Sequence, residues 1–161
     1  MVAKKIPATT AVRVLREADA EYSEHLFDYE RYPGAEGAAA ALGIDLHSTA
    51  KTIVFTTDSG DGLLVLMHGD REVSTKKAAR ALSVKSVRPA TQREADRFTG
   101  YQFGGTSPLG TRTKLPVLAQ ETLADLGTVY VNAGSRGFLI GIAPDTLFAL
   151  SGAQLVDVAV D

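Results

Sequence analysis

Apolar positions fall into two rhythms along this chain. Ala50–Thr57 and residues 63–68 are close to unbroken runs of aliphatic, aromatic and β-branched residues. Between them stands Asp58-Ser59-Gly60-Asp61-Gly62, a run of turn formers, so the pattern predicts an antiparallel hairpin of central, largely buried character. A second hairpin is predicted from residues 128–131 and Phe138–Ile142, joined through Asn132-Ala133-Gly134-Ser135-Arg136-Gly137. Shorter apolar runs at 84–87, 115–118 and 155–160 read as strands, and Pro116 favours an edge or a bulge for the second of them. Residues 22–29 read as an extended, mostly polar segment.

Helical spacing accounts for most of the rest. Thr9 or Thr10 can cap a first helix through about Ala20, with Val12, Leu15 and Ala18 inward and Arg13, Arg16 and Glu17 outward. A small-residue helix over 35–42 ends at Gly43, an amphipathic one covers Thr75–Leu82, and Thr91-Gln92-Arg93-Glu94 has capping-box spacing for a helix ending at Gly100. Short helices at 121–125 and 144–150 complete the series. The expected fold is α+β: one domain, a mixed, mostly antiparallel and barrel-like sheet surrounded by helices.

One stretch fits neither rhythm. Gly100-Tyr101-Gln102-Phe103-Gly104-Gly105-Thr106-Ser107-Pro108-Leu109-Gly110 holds four glycines, a proline and two hydroxyl residues, too many breakers for helix or strand. Such a loop brings backbone N–H groups close to a ligand; the alternative is a plain turn-rich connection.

Charge sharpens the picture. Residues 1–70 carry 6 Lys/Arg against 11 Asp/Glu, residues 71–114 carry 10 against 3, and residues 115–161 carry 1 against 5. The segment leading into the glycine loop is therefore basic between acidic flanks, as a phosphate-facing surface would be, although Lys76, Lys77, Arg80, Lys85, Arg88, Arg93 and Arg97 also fit solvated helix faces. The sequence has no cysteine, which excludes disulfides, thiolate zinc sites and a Cys nucleophile. No apolar run approaches the ~18 residues of a membrane span, and no apolar core follows Lys4 and Lys5, so a soluble, cytoplasmic protein is expected.

Several residues have a chemistry to offer. Lys51 opens a strand otherwise apolar or threonine, where its ammonium can hold a phosphate or ribose oxygen, or simply guard a sheet edge. Gly104, Gly105 and Gly110 permit close backbone approach, which suits stabilisation of an oxyanion. Thr106 and Ser107 can bond a substrate amine or carbonyl, or cap their own turn. Tyr101 and Phe103 can stack on a base or belong to the core, and Arg136 can meet a nucleic-acid backbone or tip a hairpin. Asn132 suits its own turn better than a ligand. His25, His47 and His68 are scattered and read as surface residues, so no serine has an assignable base.

Ala50-Lys51-Thr52-Ile53-Val54, Thr99-Gly100-Tyr101, the run from Gly104 to Gly110 with Pro108 inside it, and Val131-Asn132-Ala133-Gly134-Ser135-Arg136-Gly137 together resemble the YbaK-type aminoacyl-tRNA deacylases, a family that includes the editing domain of bacterial prolyl-tRNA synthetases. The resemblance runs from about Thr9 to the C-terminus. It implies trans-editing, the hydrolysis of cysteine or alanine from tRNA for proline, without a cofactor or metal. It also implies the aminoacylated tRNA 3′ end as ligand and prolyl-tRNA synthetase as a partner, and leaves the oligomeric state open. Lys51 would be the signature functional residue, Gly104 and Gly105 the oxyanion loop, and Tyr101, Thr106, Ser107, Pro108, Gly110, Asn132, Gly134 and Arg136 the substrate contacts. The substrate or a bound water would supply the nucleophile, and the enzyme would act by positioning and oxyanion stabilisation. Two departures bear on the substrate: Arg31 stands where many relatives have His, and the helix over 35–42 is unusually rich in alanine.

Overall fold

A computed structural model describes residues 5–161; residues 1–4, where the reading for a leader segment begins, lie outside the described residues. Five helices and eight strands follow in the order α1 (Thr10–Glu17), β1 (Ser23–Leu26), α2 (Gly34–Leu42), β2 (Ala50–Thr57), β3 (Gly62–His68), α3 (Thr75–Leu82), β4 (Val87–Pro89), α4 (Gln92–Thr99), β5 (Val117–Gln120), β6 (Val129–Asn132), β7 (Phe138–Ile142), α5 (Pro144–Ser151) and β8 (Gln154–Val156). Short 3-10 turns cover Leu46–Ser48 and Glu121–Asp125. The architecture is α+β.

The strands form two sheets. A five-stranded sheet has the order β4-β2-β3-β5-β8, and a three-stranded one the order β1-β7-β6. Pairings are antiparallel except β3 with β5 and β5 with β8, which are parallel. One isolated bridge, Thr49 with Tyr130, ties the sheets together, so they do not close into the expected barrel. The β2–β3 hairpin lies at the centre: Val54, Leu64 and Leu66 face one apolar core with α1, β6 and β7, while Phe55, Leu63, Val65 and Met67 face another with α3 and β8. This double burial explains why both strands read as continuous apolar runs rather than as alternating ones.

Several expected boundaries move. Proline has no N–H to give, so β5 starts after Pro116, yet the Pro116 carbonyl accepts from Leu64 N–H (3.0 Å) and the strand lies inside the sheet rather than at its edge. The strand expected at 84–87 forms at Val87–Pro89, the helix at 121–125 is a 3-10 turn, and the strand from 155 is reduced to Gln154–Val156 plus a bridge from Val73 to Ala159. The first helix stops at Glu17, leaving Ala18 exposed as its C-cap. Capping chemistry holds where it was read: Thr91 Oγ accepts from Glu94 N–H while the Glu94 carboxylate accepts from Thr91 N–H. No helix among the described residues is long and apolar enough to cross a membrane.

Candidate active site

β4 runs beside β2 only from Phe55 to Thr57, with one further bond from Ala90 N–H to Val54 O (2.9 Å). The first half of β2 therefore keeps an uncovered edge, and beside it opens a cavity of about 490 Å³. Gly34, Ala35 and Ala38 of α2 form one wall with Phe27 and Tyr29, Pro89, Ala90, Gln92 and Ala95 supply a second, and Phe103, Gly104, Thr106, Asn132 and Leu139 close the third. The alanines of α2 thus have a use that close packing alone did not suggest: they leave room.

Lys51 stands at the start of β2 and lines the cavity. Its ammonium donates to Arg71 O (2.7 Å) and lies 3.6 Å from Glu72 Oε1, which pins it at the rim. Glu72 is almost fully exposed, so this ion pair is worth under about 1 kcal/mol and can yield to a stronger anion.

The glycine loop divides into a face toward the cavity and a face toward the core. Gly104 and Thr106 line the cavity, and among the described residues neither N–H has a hydrogen-bond partner. Gly104 adopts φ +87°, and a Cβ there would lie 2.7 Å from Tyr29 Cζ, so glycine is required both by backbone and by space. Gly105, by contrast, is buried and its N–H is used by Gln102 O (2.8 Å). Its N–H is therefore not free for the oxyanion role read for it.

Other expected contacts pack the two loops rather than line the cavity. Tyr101 is buried, and its hydroxyl donates to Leu109 O (2.5 Å) and pairs with Thr10 Oγ1 (2.7 Å); burial pushes its phenol pKa up. Ser107 is buried and its Oγ accepts from Leu109 N–H (3.1 Å), a turn of the kind hydroxyl residues make locally. Pro108 is buried too; Gly110 packs on the backbone of Thr10 and Gly134 on the Tyr101 ring, each without room for a Cβ. None of these five lines the cavity.

Asn132 is the clasp between the two loops. Its side-chain amide donates to Gly104 O (3.3 Å) and Ser135 O (2.9 Å), and its oxygen accepts from Gly134 N–H (2.7 Å) and Ser135 N–H (3.2 Å). Arg136 is exposed, donates from Nε to Phe103 O (2.7 Å), and holds its guanidinium 5.1 Å from the Tyr29 ring centre. Phe103 is 61% exposed at the mouth, a large apolar ring in water beside a cation. That pair suits stacking on a base near a phosphate.

The basic segment is only partly free. Arg88 is bidentate to Glu94 (2.7 and 3.0 Å), whose carboxyl is held down to about 2 by that guanidinium. Lys77 is tied to Asp157 (3.1 Å) and Asp161 (2.7 Å). Arg93 and Arg97 remain exposed on α4, whose Gln92 lines the cavity.

Two of the three histidines depart from the surface role expected of them. His68 is fully buried, and its ring stacks on His47 at 3.8 Å and 5°. His68 Nδ1–H donates to His47 O (2.7 Å), so Nε2 is left to accept from Thr122 Oγ1 (2.7 Å); burial lowers the His68 pKa and keeps the ring neutral. His47 Nδ1 meets Asp70 at 2.9 Å. These three residues are close enough to suggest a metal centre, but both His68 nitrogens are engaged, and lone pairs in two parallel stacked rings cannot converge on one ion. The cluster clamps the end of β3 instead. A separation of 21 residues hides the pairing of His47 with His68 in the sequence.

Residues 5–150 match the aminoacyl-tRNA editing domain. The chain is 29% identical over 151 residues, 93% of its length and 92% of the relative's, to a protein of Enterococcus faecalis named "Putative Cys-tRNA(Pro)/Cys-tRNA(Cys) deacylase EbsC". It is 29% identical over 124 residues to a proline–tRNA ligase of Streptococcus thermophilus, 76% of this chain and 19% of that enzyme. A solved structure described as a putative trans-editing enzyme for prolyl tRNA synthetase superposes with a TM-score of 0.82 at 29% identity, covering 97% of this chain and all of that one. With a matching fold, a cavity at the same motifs and a family match over nearly its whole length, the chain belongs to the aminoacyl-tRNA editing domains, the YbaK-type deacylase family.

Proposed function

We propose that this protein edits in trans: it hydrolyses the ester that joins a wrong amino acid, cysteine or alanine, to tRNA for proline. The observation that carries this reading is the pairing of an uncovered strand edge and Lys51 on one side of the cavity with the unbonded N–H groups of Gly104 and Thr106 on the other. The aminoacyl group enters the cavity, and the ester carbonyl turns toward Gly104 and Thr106. Lys51 exchanges its weak hold on Glu72 for the terminal ribose or phosphate. Phe103 and Arg136 meet the terminal base and backbone at the mouth.

Among the lining residues, no hydroxyl is hydrogen-bonded to a histidine or a carboxylate. On this reading the nucleophile is a water or the substrate's own thiol. A water oxygen, or the thiol sulfur of an esterified cysteine, bonds to the carbonyl carbon; negative charge collects on the carbonyl oxygen, where the two N–H groups stabilise it. The carbon–oxygen bond to ribose then breaks, and the ribose oxygen leaves with the nucleophile's proton. A thiol route gives a cyclic thioester that water opens afterwards. The acceleration comes from positioning and oxyanion stabilisation.

The test is hydrolysis of cysteinyl, alanyl, seryl and prolyl esters of tRNA for proline, with cognate cysteinyl- and alanyl-tRNA as controls, by wild type and Lys51→Ala. Loss of one mischarged species, abolished in a folded Lys51→Ala variant, is expected. Unchanged turnover in that variant removes Lys51 from the mechanism. Binding of charged tRNA with every ester intact points to a recognition module and refutes the hydrolase reading.

A further inference from the structure

Thr52 combines two features that the reaction above leaves unused. Its Oγ1 is a buried side-chain oxygen with no hydrogen-bond partner among the described residues, although the residue lines the cavity. Such an atom costs about 1–3 kcal/mol to leave unpaired. Thr56 Oγ1 shares that condition, but Thr56 lies where β4 covers the strand, opposite Arg88, and has no cavity beside it.

The second feature is the direction of the backbone. Val54 and Leu64 are opposite one another in the hairpin. Val54 O accepts from Ala90 on the outer side, and Leu64 N–H donates to Pro116 on the far side, so this pair turns its backbone groups away from each other. Antiparallel pairs alternate, and two residues on, Thr52 opposite Leu66 does the same. The Thr52 N–H and carbonyl therefore point out of the hairpin toward the edge beside the cavity. No strand pairs there: β4 reaches only to Phe55, and the bridge to β6 is made by Thr49.

Resting on the deacylase reading, we infer that Thr52 is the receptor for the α-ammonium of the esterified amino acid: its backbone carbonyl accepts from that group, and its Oγ1, closed off in the free protein, turns about χ1 to accept beside it. The required chemistry is a small cationic donor carrying several N–H bonds, placed one atom from an ester carbonyl that faces Gly104. A free α-amine meets it; a neutral α-hydroxyl offers one weaker donor. Discrimination between these two is thereby written into one residue of β2, and it acts on every amino acid alike, apart from whatever the side-chain walls select.

The experiment uses the full-length protein with alanyl-tRNA and its deaminated counterpart, lactyl-tRNA, which differ only in the amine. Wild type, Thr52→Val and Thr52→Ser are compared in single-turnover hydrolysis, with thermal melting to establish the fold of each. Wild type is expected to cleave the alanyl ester at least about tenfold faster than the lactyl ester, the difference one charge-assisted hydrogen bond makes. Thr52→Val should lose about tenfold on the alanyl ester and less than about twofold on the lactyl ester, while Thr52→Ser restores most of the preference. Equal losses on both esters, or no loss on the alanyl one, overturn the assignment of Thr52 while leaving the hydrolase intact. A wild type that cleaves neither these nor the mischarged esters above overturns both.

Discussion

Replacing Gly104 by alanine probes the contact on which the glycine loop turns. At φ +87° an L-residue sits in left-handed space, at a cost of about 1–2 kcal/mol. The new methyl would also stand 2.7 Å from Tyr29 Cζ, where carbons prefer about 3.5–4.0 Å, so the ring must withdraw by roughly 1 Å. Withdrawal disturbs the Arg136 guanidinium over that ring, worth about 0.5–1 kcal/mol at an exposed site. Gly104→Ala should therefore lower stability by about 2–3 kcal/mol and, on the proposed mechanism, depress deacylation, because the Gly104 N–H moves with the loop. In a Tyr29→Ala background only the backbone cost of about 1–2 kcal/mol remains, leaving a coupling of about 1 kcal/mol between the two positions. Urea unfolding of the four proteins of this cycle, with single-turnover hydrolysis alongside, measures it. The same loss in both backgrounds, or no loss in either, would refute the steric argument.

Other expectations follow from the clasp and the buried histidine. Asn132→Ala removes four hydrogen bonds and should cost about 1–3 kcal/mol in a thermal melt as well as most of the hydrolytic rate; Asn132→Asp, which still accepts from Gly134 and Ser135, should retain more of the stability than of the rate. His68 titrates below its unfolded value of 6.5 because it is buried, with His47, Asp70 and Arg71 around it, so the unfolded protein takes up the proton first. Its contribution to stability is present above about pH 6.5 and is lost as pH falls toward the folded pKa, with a slope of up to about 1.4 kcal/mol per pH unit. The depressed carboxyls of Asp70, Asp157 and Glu94 act at lower pH. Urea midpoints between pH 7 and 5 should fall more steeply for wild type than for His68→Leu, and parallel lines would exclude His68 as the source.

Local signals carried most of the fold. The β2–β3 hairpin, α3 and α4 were legible because burial on two faces, an amphipathic stripe and a capping box each act within a few residues. Pro116 misled because its missing N–H says where a strand starts, whereas its carbonyl, which joins the sheet, leaves no mark in the sequence. Within the candidate site, Lys51, Gly104 and Thr106, far apart in the sequence or on one loop, line one cavity. Tyr101 and Ser107 of the glycine loop, and Gly134 of the β6–β7 turn, pack inward instead, a distinction decided by which face of each loop meets the core. His47 with His68, and Tyr29 with Gly104, meet only through the tertiary fold. No spacing rule reaches across such separations.

The start of α1 lies beneath both loops of the site. Thr9 Oγ1 donates to Ala133 O (2.5 Å), Thr10 bonds the Tyr101 hydroxyl, and Gly110 rests on the Thr10 backbone. Thr9 and Thr10 are thus the seat for loops made some hundred residues later, and such long-range closures are slow relative to local ones. A nascent polypeptide can form its β2–β3 hairpin and several helices early, yet the cavity is complete only once β6, its following turn and the start of β7, with Asn132 and Leu139, have emerged.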